Sequence, residues 1–385
     1  MKSHNTVVAC LLVLFVSLAV HAQTDLKVLA RAANAHGLLC SSQGKLVLML
    51  SGSPEQMGQA HGELLKPQIA AMADKVFFLA GAYAAGKNDW FFTRIDEVQR
   101  RTSPHTPPRF MAECDAMAAA AGLSVRDARN MNLLPEMFHC SGFAVKGKAS
   151  LNGQILHARV LDYMSDIGIQ DYAVVMLLMP DGLNAWVNVS YAGFVGSVTA
   201  MNAKGLSIGE IGGPAEVGDW DGMPMNFLIR EIMEKADNVE QALAILKASK
   251  RTCNYYYVLA DKSGDLASVS ATSDKLLVLR PGEQCPGVLP NVPEDSVLIS
   301  AMSRAKPLSE RLTKLYGKID VKAMMEICKR PVAMESNLQD AIFAPATLEL
   351  WVADAGRGTL ACDNPYARFN LTALERFFRD KLAAP

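Results

Sequence analysis

Residues 140–162 read Cys140-Ser141-Gly142-Phe143-Ala144-Val145, then a short link to Asn152-Gly153, then Gln154-Ile155-Leu156-His157-Ala158-Arg159-Val160-Leu161-Asp162. Two strand-like runs flank an Asn-Gly pair, the strongest short-range sign of a two-residue hairpin. The stretch predicts strands over 140–145 and 154–161. It also marks a change of texture. Residues 53–138 carry helical signals, with Ser53 or Pro54 opening a first helix that sets Met57, Ala60, Leu64 and Leu65 on one side. Gly58 and Gly62, four apart, let another backbone come close. Further helices are predicted over 89–101, 108–121 and 124–137, the last capped by Ser124.

Downstream the hairpin signal recurs. Runs at 172–179 and 185–191 flank Asp181-Gly182, and runs at 198–201 and 206–211 flank Lys204-Gly205. Helices are predicted at 224–235 and 239–248, then strands at 255–260, 266–271 and 275–279. Helices at 307–315 and 321–329, strands at 338–343 and 348–353, and a helix at 371–382 complete the reading. Antiparallel runs with helices segregated between them predict an α+β class of two stacked sheets covered by helices.

The chain has 385 residues, half of them hydrophobic, and a formal net charge of −1. No basic field invites nucleic acid, and no acidic block suggests a disordered tail. Lys2 and His4 precede an apolar run from Val7 to Val20, and Val20-His21-Ala22 offers small residues where a signal peptidase reads. The run is shorter than the roughly 20 residues a membrane helix needs. It predicts a signal peptide over 1–22 and a secreted or periplasmic protein, without stable insertion in a membrane. Of the eight cysteines, Cys10 leaves with the signal. Setting Cys140 aside leaves Cys40, Cys114, Cys253, Cys285, Cys328 and Cys362, either oxidised after export or buried as free thiols.

Several chemistries lack their motifs. There is no G-x-x-x-x-G-K-[ST], no H-E-x-x-H and no paired C-x-x-C. Histidine is scarce: of seven, only His157 follows Cys140. A thiol titrates near 8.5 and needs a base or a cation to react at neutral pH. An α-amino group titrates near 7.7–8.0. If the chain breaks before Cys140, the new amine lies on the nucleophile's own residue and serves as its base. Arg159 stabilises the thiolate, since it keeps its proton. Asp162 accepts a hydrogen bond from the amine. One geometric condition attaches: side chains alternate along a strand, so Arg159 and Asp162 both reach Cys140 only if the strand bulges or ends near Val160-Leu161.

Cys140-Ser141-Gly142-Phe143, followed by His157-Ala158-Arg159-Val160-Leu161-Asp162-Tyr163, resembles the start of the catalytic chain in cysteine N-terminal nucleophile hydrolases. That superfamily includes isopenicillin N acyltransferase, the bile-salt and penicillin V acylases and acid ceramidase, which open with Cys and carry R-x-x-D about twenty residues on. The segments 52–62 and 348–353 resemble the isopenicillin N acyltransferase branch in particular. The resemblance implies a four-layer αββα sandwich of two antiparallel sheets for 140–385, with 23–139 as a helical partner chain. It implies Cys140 as nucleophile and Arg159 and Asp162 as its partners. Asn202 would line the site, and Asn291, between Pro290 and Val292, would hold the oxyanion. Arg311 is the downstream site arginine, with Arg304 in competition for that role. His139, before the nucleophile, stands where Gly is common in relatives, and Ser270 where they tend to show Glu.

The implied activity has two stages. The Cys140 thiol attacks the carbonyl of His139 and the chain is cut there. The same thiol then attacks an N-acyl amide or ester of a small substrate, through a thioester, with no metal or organic cofactor. The cut chains stay associated as a heterodimer. Two other readings remain: an exported binding protein on an inactive scaffold, and a thiol amidase that is never processed.

Overall fold

Asn152 and Gly153 turn the chain with φ of 58° and 72°, at the end of a five-residue link, 148–152, rather than in the two-residue loop the pair predicts. The strands they join are β4 (His139–Gly147) and β5 (Gly153–Asp162). The computed structural model describes residues 25–85, 91–133, 139–163, 167–213, 219–284, 291–300 and 302–383. The proposed signal peptide, Cys285 and most of 134–139 lie outside them, as do Leu289 and Pro290.

Before this hairpin come β1 (Lys27–Arg31), β2 (Gly37–Ser42), β3 (Lys45–Gly52), α1 (Pro54–Leu64), α2 (Lys66–Ala85), α3 (Phe91–Thr102), α4 (Pro108–Ala121) and α5 (Val125–Met131). After it come β6 (Ala173–Pro180), β7 (Trp186–Tyr191), β8 (Thr199–Asn202), β9 (Leu206–Gly212), α6 (Met225–Lys235) and α7 (Val239–Ala248). Then follow β10 (Tyr255–Asp261), β11 (Leu266–Ala271), β12 (Leu276–Leu279), β13 (Ser296–Ser300), α8 (Ala305–Lys314) and α9 (Val321–Cys328). The chain closes with β14 (Asn337–Ala344), β15 (Glu349–Asp354), β16 (Ala367–Asn370) and α10 (Leu371–Ala383).

Two sheets result. One has ten strands in the order β1-β2-β3-β6-β7-β8-β9-β10-β11-β12, the other six in the order β13-β4-β5-β14-β15-β16. They pack face to face: a side chain added at Gly142 on β4 would meet Ile211 of β9 and Val258 of β10. Helices α1, α6 and α7 lie against the ten-stranded sheet, and α8 and α9 against the six-stranded one. The α+β sandwich is thus as the sequence predicts.

Two expectations change. The larger sheet is not purely antiparallel, because β3 pairs with β6 in parallel from Leu46↔Val174 to Gly52↔Pro180. The segment 23–139 is also not wholly helical. Its β1–β3 extend the larger sheet, and both faces of β3 are buried, Leu48 and Leu50 in one apolar cluster, Val47 and Met49 in another. A strand covered on both faces shows no alternation, so the sequence carries no period-two signal there.

The first helix opens on a capping box between Ser53 and Gln56. Gly58 and Gly62 let it lie directly on α4: an added Cβ would come within 2.3 Å of the Glu113 carbonyl oxygen and 2.4 Å of that of Met117. Ser124 caps α5 by accepting from the Asp127 N–H at 3.0 Å. Among the described residues no helix is long and apolar enough to cross a membrane. The six described cysteines are free thiols, all but Cys253 buried.

Candidate active site

Cys140 is the second residue of β4 and lies across from Leu161, while Gly142 lies across from Arg159. The alternation of a strand then puts Cys140 and Arg159 on the same face, between the sheets. Both are buried, at 0% and 1% exposure. Arg159 donates from Nη2 to the Cys140 sulfur at 3.1 Å and from Nε to the Glu210 carbonyl at 2.9 Å. The same Nη2 meets the Glu210 carboxylate at 3.0 Å. A cation is thereby fixed against the sulfur by a buried acid.

Asp162 pairs with His139 and so faces the other way from the thiol. β5 does not bulge near Val160-Leu161: its register with β4 shifts only at the far end, between Leu156 and Gly153, it ends at Asp162, and the irregular step beside the site is on β14, between Asn337 and Gln339. The Asp162 carboxylate accepts from the Met334 N–H at 2.8 Å and pairs with Arg304. Arg304 also donates to the Cys140 carbonyl at 3.1 Å and the Val332 carbonyl at 3.2 Å. Asp162 therefore stands across from the residue that precedes Cys140, and Arg304 ties it to the Cys140 backbone.

Burial sets the electrostatics. It pushes the Cys140 thiol up to about 12, against the pull of Arg159 and with the Glu210 charge adding to the rise. Burial also raises the Asp162 carboxyl, opposed by Arg304. Asp340, buried behind the site with Asn337 and Tyr366 donating to its carboxylate, is raised to about 7. Burial drives His157 down to about 3, so it is a neutral ring, bonded to Ser207 Oγ at 2.9 Å. Leu161, the partner of Cys140, lines an apolar cavity with Met72, Tyr163, Tyr191, Phe194 and Leu338. Among the described residues no group of three or more His, Cys, Asp or Glu is arranged to hold a metal.

Three sequence-predicted residues are not brought to this cluster. Asn202 uses its amide at the end of α6, donating to Met233 O at 2.9 Å and Ala236 O at 2.7 Å and accepting from the Lys204 and Leu206 N–H groups. It is a turn residue, as its neighbour Gly205 suggests. Asn291 is exposed, and its carbonyl accepts from Ser309. It precedes β13, whose Ser296 lies across from Val145, at the far end of β4 from Cys140. Arg311 caps α9, donating to the carbonyls of Glu326, Ile327, Lys329 and Arg330. The arginine at the site is its competitor, Arg304. Glu210 was not anticipated. Its signal was a lone charge inside the apolar run Leu206-Ser207-Ile208-Gly209-Glu210-Ile211.

Two face-packed sheets between helical layers, with a cysteine near the head of an inner strand and an arginine on its sulfur, make an α+β sandwich with a candidate thiol site between its sheets. Residues 153–283 match the family model described as acyl-coenzyme A:6-aminopenicillanic acid acyl-transferase. Protein dcd1B of Dictyostelium discoideum is 26% identical over 274 residues, covering 64% of this chain and 54% of that protein. The N-acylethanolamine-hydrolyzing acid amidase of Rattus norvegicus is 22% identical over 185 residues, covering 45% of this chain and 50% of that one. The chain thus spans about half the length of each of these two relatives. The solved ortholog of that amidase from Caenorhabditis elegans superposes with a TM-score of 0.42 at 15% identity, covering 54% of this chain and 93% of that one.

Proposed function

We propose that this chain is an exported cysteine amidohydrolase or acyltransferase that matures by cutting itself before Cys140. The observation that carries the reading is the Arg159 guanidinium held 3.1 Å from the Cys140 sulfur by a buried Glu210. A buried cation on a thiol stabilises the thiolate, which is the reactive form. The match to an acyl-transferase family and the likeness to an acid amidase support the same class of reaction.

The thiol adds to the carbonyl carbon of His139, the C–N bond breaks as the S–H proton passes to the Cys140 nitrogen, and water hydrolyses the resulting thioester. The freed α-amine then stands on the nucleophile's own residue, where it takes the thiol proton when an N-acyl amide is attacked and gives it to the departing substrate amine, leaving the acyl group on sulfur. Asp162, across from His139, orients that amine. The acyl group leaves to water or to another amine. In the continuous chain the Cys140 nitrogen is an amide and cannot serve as base, so processing is the activating step toward substrate.

The test is the intact mass of purified protein. The reading expects two chains, 23–139 and 140–385, and a single chain for Cys140→Ala. A first residue of the larger fragment other than Cys140 would overturn it.

A further inference from the structure

Residues 192–198 join β7 to β8, and all of them are buried except the half-buried Phe194 and Val198. Tyr191, Phe194, Ser197 and Val198 form one wall of the apolar cavity that Leu161, the strand partner of Cys140, also lines. A buried loop must find a partner for each backbone polar group, since none is left to water. Much of what this loop uses comes from before position 140. The Gly193 N–H donates to His61 Nε2 at 3.1 Å. The Asn132 amide donates to Gly193 O at 3.0 Å, and its oxygen accepts from the N–H of Val195 at 2.7 Å and of Gly196 at 3.4 Å. Val195 O accepts from Arg230 at 2.8 Å, and Arg230 is itself gripped by Glu113 of α4 at 2.6 and 2.9 Å. Gly193 has φ 86°, and a Cβ there would meet Met131 at 2.3 Å, so the loop lies directly on α5.

The loop also reaches the nucleophile. Val198 O accepts from the Glu210 N–H at 2.9 Å, and Glu210 fixes Arg159 against Cys140. We infer that His61 and Asn132 are positioning residues, which hold 192–198 as the wall that selects the acyl group. The segment before Cys140 is then a permanent part of the catalytic unit rather than a leader to be discarded. This rests on the amidase reading of the cavity, while the positioning itself does not. His61 serves as a neutral acceptor, burial holding its ring well below the usual range.

The experiment compares full-length wild type with His61→Ala, His61→Gln and Asn132→Asp. Hydrogen exchange of the 192–198 amides is read by mass spectrometry. Kinetics are read on N-acyl 4-nitroanilides from acetyl to dodecanoyl. His61→Ala should speed exchange at 192–198 about tenfold, with other buried segments unchanged. It should raise KM about five- to tenfold for the longer acyl groups, more than for acetyl, as expected for one lost buried hydrogen bond. His61→Gln, which offers an acceptor of similar reach, should restore both. Should His61→Ala not fold, Asn132→Asp carries the comparison: it keeps the acceptor for Val195 and Gly196, loses the donor to Gly193 O and to Ala128 O at the end of α5, and should speed exchange at 192–198 and at the last turn of α5, with other buried segments unchanged. Unchanged exchange at 192–198 overturns the positioning role. A loss spread over the whole chain, equal for every acyl group and not rescued by Gln, reduces His61 to general packing and overturns it too. If wild type hydrolyses none of the series, the amidase reading fails instead, and exchange still decides the loop.

Discussion

At Cys140 two charges act in opposite directions through one guanidinium. Arg159 lowers the thiol and Glu210 raises it, within a burial that leaves it at about 12. The pair therefore gives substitutions of opposite sign. Glu210→Gln keeps a hydrogen-bond acceptor for Arg159 but removes the negative charge, so the thiolate gains. Arg159→Met keeps bulk but removes the cation, so the thiolate loses. Below its pKa a thiol's anionic fraction rises about tenfold per pH unit. In protein recovered as a single chain, iodoacetamide labelling of Cys140 should be slow near pH 7 and climb with pH. The profile should move to lower pH in Glu210→Gln and to higher pH in Arg159→Met, followed by peptide mass spectrometry. Shifts of the same sign in both would mean that access, rather than charge, controls the sulfur.

The elements divide by how local their causes are. The hairpins at Asn152-Gly153, Asp181-Gly182 and Lys204-Gly205 were legible because a turn is decided within four residues, and Gly182 and Gly205 take the left-handed φ a turn requires. The helices were legible from caps and apolar stripes. The strands β1–β3 were not, because β3 is covered on both faces and its parallel partner β6 begins more than 120 residues later. The short β13 and β16 carry too few residues to show a period. That Cys140, Arg159 and Asp162 lie close together was legible, because all three belong to one contiguous hairpin. Glu210 and Arg304 were not ranked, since their roles depend on which strands and helices meet. That Asn202, Asn291 and Arg311 stand apart from Cys140 was not legible, because turn and capping residues share their composition with site residues. The Gly58 and Gly62 spacing was read rightly, and it sets a test. Ala is the better helix former by about 1 kcal/mol, yet at Gly62 its Cβ would press on the Met117 carbonyl and on Ala120. Such overpacking costs about 1–3 kcal/mol. Gly62→Ala should therefore lower the melting temperature, whereas Gly81→Ala in α2, with nothing within 4 Å of the new Cβ, should not. A rise for Gly62→Ala would show that α1 and α4 separate without cost.

For the molecule as a whole, a cut between His139 and Cys140 runs through a shared interior. The seven-residue ladder of β3 with β6 crosses it, as does the buried pair of Glu113 with Arg230, each side chain 1% exposed. One apolar cluster holds Leu48, Met57, Leu65 and Met117 from before the cut with Ile208, Phe227 and Ile232 from after it. Salt screens exposed charge pairs and leaves buried apolar contact intact. The two chains should consequently co-elute as one particle in gel filtration, in 1 M sodium chloride as in dilute buffer, and part only in denaturant. Removing one member of a buried ion pair leaves the other uncompensated, at about 3–5 kcal/mol. Arg230→Met should thus lower the denaturant midpoint of the processed pair well below that of the wild type. The larger fragment alone should fail to refold, since β6 would lose its neighbour and the loop 192–198 its partners. Recovery of a folded, monomeric 140–385 without the smaller chain would mean that the segment before Cys140 is dispensable. The positioning assigned to His61 and Asn132 would then have to be carried within the larger chain.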